Sequence, residues 1–120
     1  MASVAQACVV VASQSDDPRA LEADLLLKAA ARLQTVHDSW ETRRAELDHT
    51  LRYNRRLWAI FIKSATGNEH PLPVDIRQTV ASLSLFVTNQ TVAMLLEPKR
   101  AQVADLININ RELAAGLLGR

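Results

Sequence analysis

The amino-acid sequence predicts an all-α protein, a small antiparallel bundle of about four helices. Apolar residues recur three and four positions apart in four long stretches, the spacing that places them on one face of a helix. Only three glycines and four prolines occur in 120 residues, so long helices are favoured over many short strands. Short segments separate the four stretches, which is typical of antiparallel neighbours. We therefore expect a single domain, residues 1–120, with helices at residues 18–36, 39–66, 73–96 and 99–117.

Composition and charge exclude several classes of protein. Apolar residues make up 48% and charged residues 22% of the chain, as in ordinary globular proteins. Fourteen Lys and Arg stand against 13 Asp and Glu, so the net charge of +1 gives no general argument for nucleic acid or an acidic membrane. Cys8 is the single cysteine, which excludes an internal disulfide and a cysteine-rich metal site and suits a reducing cytoplasm.

Residues 1–16 contain a short apolar run, residues 7–12, that superficially looks like a secretion signal. The run is only six residues long, and no Lys or Arg precedes Arg19. A signal has a longer apolar core behind a positive leader, and no later run approaches the ~20 apolar residues of a membrane span. We therefore expect a cytoplasmic protein without membrane insertion, in which residues 1–16 form a flexible arm or a short helix.

The first predicted helix has a clear start and an ambiguous end. Asp17 suits the N-cap and Pro18 the first helical position. Asp38 and Glu41 have the capping-box spacing, so either a new helix begins at Asp38 or one long helix is kinked there. The apolar stripe of this helix, widened by Leu26 and Ala30, consists of Leu21, Leu25, Ala29, Leu33 and Val36.

The second predicted helix carries most of the aromatic residues and the widest apolar surface. Asn54 lies within its apolar stripe, which consists of Leu47, Leu51, Trp58, Phe61 and Ala65. Residues 57–62 are apolar on more than one face, which indicates that other helices cover this one.

The third and fourth predicted helices are also amphipathic. Pro73 opens the third, whose stripe contains Ile76, Val80, Leu83, Val87, Thr91 and Leu95, with a second apolar patch at Leu85 and Phe86. The fourth carries Val103, Leu106, Ile107, Asn110, Leu113 and Leu117. Because Asn54 and Asn110 each lie where leucine would be the usual core residue, we expect either an amide pair that fixes helix register or a polar contact with another protein.

Catalytic and metal-binding motifs are absent from the sequence. It contains no glycine-rich phosphate loop, no His-Glu-x-x-His and no paired cysteines. Glu46 and His49 have the Glu-x-x-His spacing of di-iron bundles, but those proteins need two such pairs. We expect no enzymatic activity, no catalytic residues, no metal and no cofactor.

One segment of the second predicted helix is locally basic. Residues 39–65 contain six Lys or Arg against three Asp or Glu. Clustered guanidinium groups suit phosphates, so Arg52, Arg55 and Arg56 are the candidate RNA contacts. Tyr53 is the one aromatic residue among these arginines, so base stacking is not evident, and a solvated charged face is the alternative.

Four groups of residues follow one another in a recognisable order. They are Asn54-x-x-Leu57-Trp58-x-x-Phe61, Leu72-Pro73 with Ile76-Arg77, Ser82-Leu83 through Phe86-Val87 to Thr91, and Leu106-Ile107-x-Ile109-Asn110-Arg111 with Gly116-Leu117. Over residues 17–118 their order and spacing resemble the FlaF family of flagellar biosynthesis proteins. The resemblance implies a small helical cytoplasmic protein that binds flagellin, acts as its secretion chaperone and positively regulates its synthesis. It also implies FlbT, which restrains flagellin expression after transcription, as a second candidate partner.

The residues make flagellin binding physically reasonable. A bundle with more apolar surface than its core uses can offer a groove to an amphipathic helix. Surplus apolar residues at 57–62 and 83–87 predict a groove between the second and third helices, with an arginine rim from Arg55, Arg56 and Arg77. The expected partner-binding residues are Trp58, Phe61, Ile62, Arg77, Leu83 and Phe86. The alternatives are complete cover by the first helix, a homodimer, a FlbT-binding adaptor and an RNA-binding regulator of flagellin expression.

Overall fold

A computed structural model describes residues 17–67 and 72–119. Within these residues the chain forms helices and no strand, which confirms the predicted all-α fold. The expectation of an arm or short helix at residues 1–16 lies outside the described residues. The four long helices are α1 (Pro18–Asp38), α3 (Leu47–Thr66), α4 (Val74–Leu96) and α5 (Arg100–Leu117); a short helix α2 (Trp40–Arg43) and a 3₁₀ turn (Arg44–Glu46) connect α1 to α3.

The start of α1 and its end show how local sequence sets the helix boundaries. The Asp17 side chain accepts a hydrogen bond from the backbone N–H of Arg19 at 3.0 Å, and Pro18 occupies the first turn, as the sequence predicts. At the other end Ser39 leaves the helical conformation, with φ −117° and ψ 44°. The chain therefore breaks between α1 and α2 rather than continuing as one kinked helix.

Helices α1 and α5 form the most extensive helix pair, and they run antiparallel. Arg100 at the start of α5 donates from Nε to the carbonyl of His37 at 2.9 Å, whereas Asn110 further along donates to the carbonyl of Leu26. Helix α3 packs against both α1 and α4, but α4 makes few contacts with α5. The bundle therefore holds α4 mainly through α3.

The core is one contiguous cluster to which all four long helices contribute. Every predicted stripe residue of α3 is buried, and Trp58 meets Phe61 edge to face with ring centroids 6.2 Å apart. In α1 the prediction is only partly right, because Leu26 and Ala30 lie in the core while Leu21 and Leu25 are half-buried. Helix α1 is covered by both α3 and α5, so its buried face is wider and rotated relative to the predicted stripe.

Helix α4 is long and apolar, yet most of it faces outward. Of its 23 residues the buried ones are Val80, Val87, Thr91 and Met94. Its exposed large apolar side chains are Val74, Ile76, Leu85, Phe86, Val92 and Leu96. It is the one described helix that is long and apolar enough to cross a membrane, which is weak evidence but corrects the expectation that no stretch approaches such a span.

Candidate partner-binding site

An open groove of about 450 Å³ lies between the amino-terminal half of α4 and the carboxy-terminal half of α5, beside the start of α1. Its size is that of a typical ligand or peptide side-chain pocket. Leu72, Val80 and Leu113 form buried parts of its wall, and Leu83 and Leu117 are half-buried beside them. The surface offered to a partner is therefore mainly aliphatic.

The groove exists because α4 and α5 diverge and because one position on its wall lacks a side chain. Gly116 lines the groove, and a Cβ placed on it would meet no heavy atom within 4 Å. A side chain placed here would therefore start in open space and project into the groove. Gly116 is thus a position at which the groove can be closed selectively.

Charged side chains border the groove and set its electrostatic preference. Asp75 on α4 and Glu112 on α5 carry negative charge at its edge. Arg19 on α1 also borders it, but its Nη1 lies 2.9 Å from Oε2 of Glu22, which offsets its charge. The groove therefore favours an apolar segment flanked by Lys or Arg.

A second feature, a buried amide pair, lies at the centre of the bundle. Asn54 and Asn110 are both 0% exposed, and Asn110 Nδ2 donates to Asn54 Oδ1 at 2.8 Å. Asn110 Oδ1 accepts from Trp58 Nε1 at 2.9 Å. These amides therefore face each other and not a partner protein; their role in fixing helix register stays a prediction.

The sequence of this chain matches one known protein family over nearly its whole length. The family model described as "Flagellar protein FlaF" matches residues 5–117, nearly the whole chain. The chain belongs to the FlaF family. Membership gives it a role connected with the flagellum. The searches of curated proteins and of solved structures found no significant match.

The structure does not bring the six predicted partner residues of this FlaF-family chain together. Trp58 and Phe61 are 1% and 3% exposed and belong to the core, and Ile62 packs half-buried against it. Leu83 lines the groove, whereas Phe86 is 40% exposed outside it. Arg77, Arg55 and Arg56, the predicted rim, do not line the groove.

The predicted location of the groove also needs correction. It lies between α4 and α5, the third and fourth predicted helices, whereas the space between the second and third holds a smaller pocket of about 120 Å³ that none of the six predicted residues lines. The reason is that α1 and α4 both pack against α3 and use most of its wide apolar surface internally, although Ile60 stays 62% exposed. Of the groove residues, sequence reasoning assigned only Leu83 to a partner; the apolar residues and the glycine that it missed are Leu72, Ile76, Val80, Leu113, Gly116 and Leu117.

The basic segment of this FlaF-family chain forms a surface of its own. Arg52, Arg55 and Arg56 line a shallow depression of about 260 Å³ together with Ala59. Arg52 Nε lies 3.0 Å from Oδ2 of Asp48, so part of its charge is already neutralised. The structure thus gathers the three candidate RNA contacts in one place.

Polar groups elsewhere show ordinary surface pairing. Glu46, part of the Glu-x-x-His spacing, lies 3.2 Å from the guanidinium of Arg43. No group of three or more His, Cys, Asp or Glu side chains at residues 17–67 and 72–119 could hold a metal ion.

Hydrogen bonds with His37 and then Gln34 lower the pKa of Asp38, which is exposed at the end of α1.

Proposed function

We propose that this chain is a cytoplasmic flagellin-binding protein that acts as a secretion chaperone and positive regulator of flagellin synthesis. Before assembly, the terminal segments of flagellin present amphipathic helices whose apolar faces need cover. In the proposed mechanism one such helix lies in the groove between α4 and α5, as in other helix-in-groove complexes. No catalysis or cofactor takes part.

The observation that carries this proposal is an open, mainly aliphatic groove beside a helix, α4, whose apolar surface the bundle covers only in part. A soluble bundle normally buries the apolar face of an amphipathic helix, but α4 keeps six large apolar side chains exposed. Of these six, Ile76 lines the groove, where it joins the half-buried Leu83 and Leu117, and the other five lie outside it. Exposed apolar grooves mark interaction sites in soluble proteins.

The test compares groove variants with matched controls in binding to purified flagellin. Gly116→Leu fills the groove, and Gly116→Ala adds only one methyl group at the same position. Ile76→Asp places a charge at the groove, and Leu85→Asp places the same charge on α4 at a side chain 64% exposed outside it. We expect Gly116→Leu and Ile76→Asp to weaken binding more than tenfold and the two controls to change it less than threefold.

Other outcomes would reject the groove as the binding site. Unchanged capture of flagellin by both groove variants, in folded protein, would end the proposal. Loss of binding in Leu85→Asp alone would move the interface to the outer face of α4. A stable complex with FlbT in the absence of flagellin would favour the adaptor function instead.

The arginine cluster supports a second candidate, RNA-binding regulation of flagellin expression. Three arginines line one depression, and clustered positive charge of this kind favours contact with phosphates. Replacing Arg55 and Arg56 by Gln should then abolish retardation of the flagellin messenger leader in gel shifts and flatten the salt dependence. Equal retardation of wild type and variant would exclude this surface.

A further inference from the structure

The groove opens beside the point at which the described chain begins. Arg19 borders it, and α1 starts one residue earlier at Pro18. Ahead of α1 the sequence contains the apolar run of residues 7–12, and residues 1–15 include no charged side chain. The family match begins at residue 5, so this run lies within the part of the chain that the family model covers.

We infer that residues 4–12 of this chain occupy the groove between α4 and α5 when no partner is bound. The apolar wall of the groove suits the three consecutive valines, Val9, Val10 and Val11. An uncharged segment also brings no negative charge towards Asp75 and Glu112 at the rim. The occupant is thus a tethered segment of the same molecule.

Chain length permits this placement. Residues 13–17 separate the apolar run from α1, and five residues span up to ~17 Å when extended. Along α4 the groove runs from Asp75 to Leu83, eight positions or ~12 Å of helix. The nine residues 4–12 cover ~13 Å as a helix and ~30 Å when extended, so either conformation spans the groove.

Tethering makes even a weak contact effective. A short flexible linker gives an effective concentration on the order of millimolar, so a segment with millimolar intrinsic affinity would fill about half of the grooves. A partner must then displace it, and its apparent affinity falls by the fraction of grooves that are open. This competition rests on the proposed function, whereas occupancy of the groove does not.

The native thiol of Cys8 gives a direct test in the full-length chain. Gly116→Cys adds a second thiol in the groove, where the new side chain has free space. Glu41→Cys places an exposed thiol on α2, at the far end of α1, which is 21 residues or ~31 Å long. After correction for thiol reactivity, we expect intramolecular disulfide formation with Cys8 to be at least tenfold faster for Gly116→Cys.

A second pair of variants tests the apolar contact itself. In the Gly116→Cys background, Val10→Asp should slow the disulfide at least fivefold, and Val10→Leu should leave its rate unchanged. Equal rates for Gly116→Cys and Glu41→Cys would overturn the inference. A disulfide-linked dimer whose yield rises with protein concentration would overturn it too, because a second copy would then occupy the groove.

Flagellin binding then separates this inference from the proposed function. With Cys8 and Gly116 native, Val10→Asp should bind flagellin two- to tenfold more tightly than the wild type. A fast intramolecular disulfide without any flagellin binding would leave the self-occupied groove standing and reject the proposed function. Flagellin binding together with equal disulfide rates for Gly116→Cys and Glu41→Cys would support the proposed function and reject the self-occupied groove.

Discussion

Asn110 joins three helices through one side chain. Its Oδ1 accepts from Trp58 of α3, and its Nδ2 donates to Asn54 of α3 and to the carbonyl of Leu26 in α1. Asn54 makes fewer hydrogen bonds, since its own Nδ2 has no hydrogen-bond partner among the described residues. Removing the Asn110 amide would therefore leave more buried polar groups unpaired than removing the Asn54 amide.

This difference predicts unequal effects of substitution by leucine. Asn110→Leu leaves the buried Trp58 Nε1 without its acceptor and the Asn54 amide without its donor, so we expect a loss of about 3 kcal/mol in the free energy of unfolding. Asn54→Leu removes an unpaired Nδ2 as well as one acceptor, so we expect a change within about 1 kcal/mol. Urea unfolding measures both, and equal losses would contradict this assignment.

The two phenylalanines provide a second contrast at the residue scale. Phe61 is 3% exposed against Trp58, whereas Phe86 is 40% exposed. Phe61→Asp places a carboxylate in the core and should cost more than about 4 kcal/mol. Phe86→Asp should cost less than about 1 kcal/mol, because surface substitutions away from special features change stability little. Thermal unfolding followed by circular dichroism distinguishes them, and a folded, stable Phe61→Asp would contradict the core placement.

At the scale of elements, the sequence predicts helices better than it predicts which helix surface stays open. Asp17 and the α3 stripe are predictable because capping and apolar spacing are local properties. On α4 both the Ile76–Leu83 side and the Leu85–Phe86 side are apolar. Which side is covered depends on how α3 and α5 approach α4, and that is a tertiary property which spacing within one helix does not contain.

The two glycines near the end of α5 differ in backbone conformation, so replacing each by alanine should change the stability of the protein in opposite directions. Gly116 lies in the helix with free space at its Cβ, whereas Gly119 has φ +74°, in the left-handed region. Gly116→Ala should therefore raise the free energy of unfolding by about 0.5 kcal/mol through helix propensity. Gly119→Ala should lower it by about 1 kcal/mol, because a side chain is strained at this φ. Denaturant titration of both variants checks the signs, and a destabilised Gly116→Ala would contradict the open groove wall.

At the scale of the whole molecule, the bundle combines a tightly joined part with a loosely covered helix. Helices α1, α3 and α5 share the Asn110 network and most of the core. Helix α4 adds four buried residues and keeps six large apolar side chains exposed. The groove takes its wall from both α4 and α5, but it lies away from the Asn110 network, so groove variants need not unfold the protein.

Because α4 is covered less than the other long helices, we expect its local stability to be lower than theirs. Amides of α1 and α5 should exchange with solvent at rates near those of global unfolding, and amides in the first half of α4 should exchange at least tenfold faster, because few buried contacts hold them. Hydrogen exchange followed by mass spectrometry resolves these helices as separate peptides. Adding flagellin should selectively slow the exchange of the α4 amides. In Gly116→Leu flagellin should not slow this exchange, because the groove is filled. Uniform protection of all four long helices, or slowing that persists in Gly116→Leu, would contradict a loosely held α4 as the binding element.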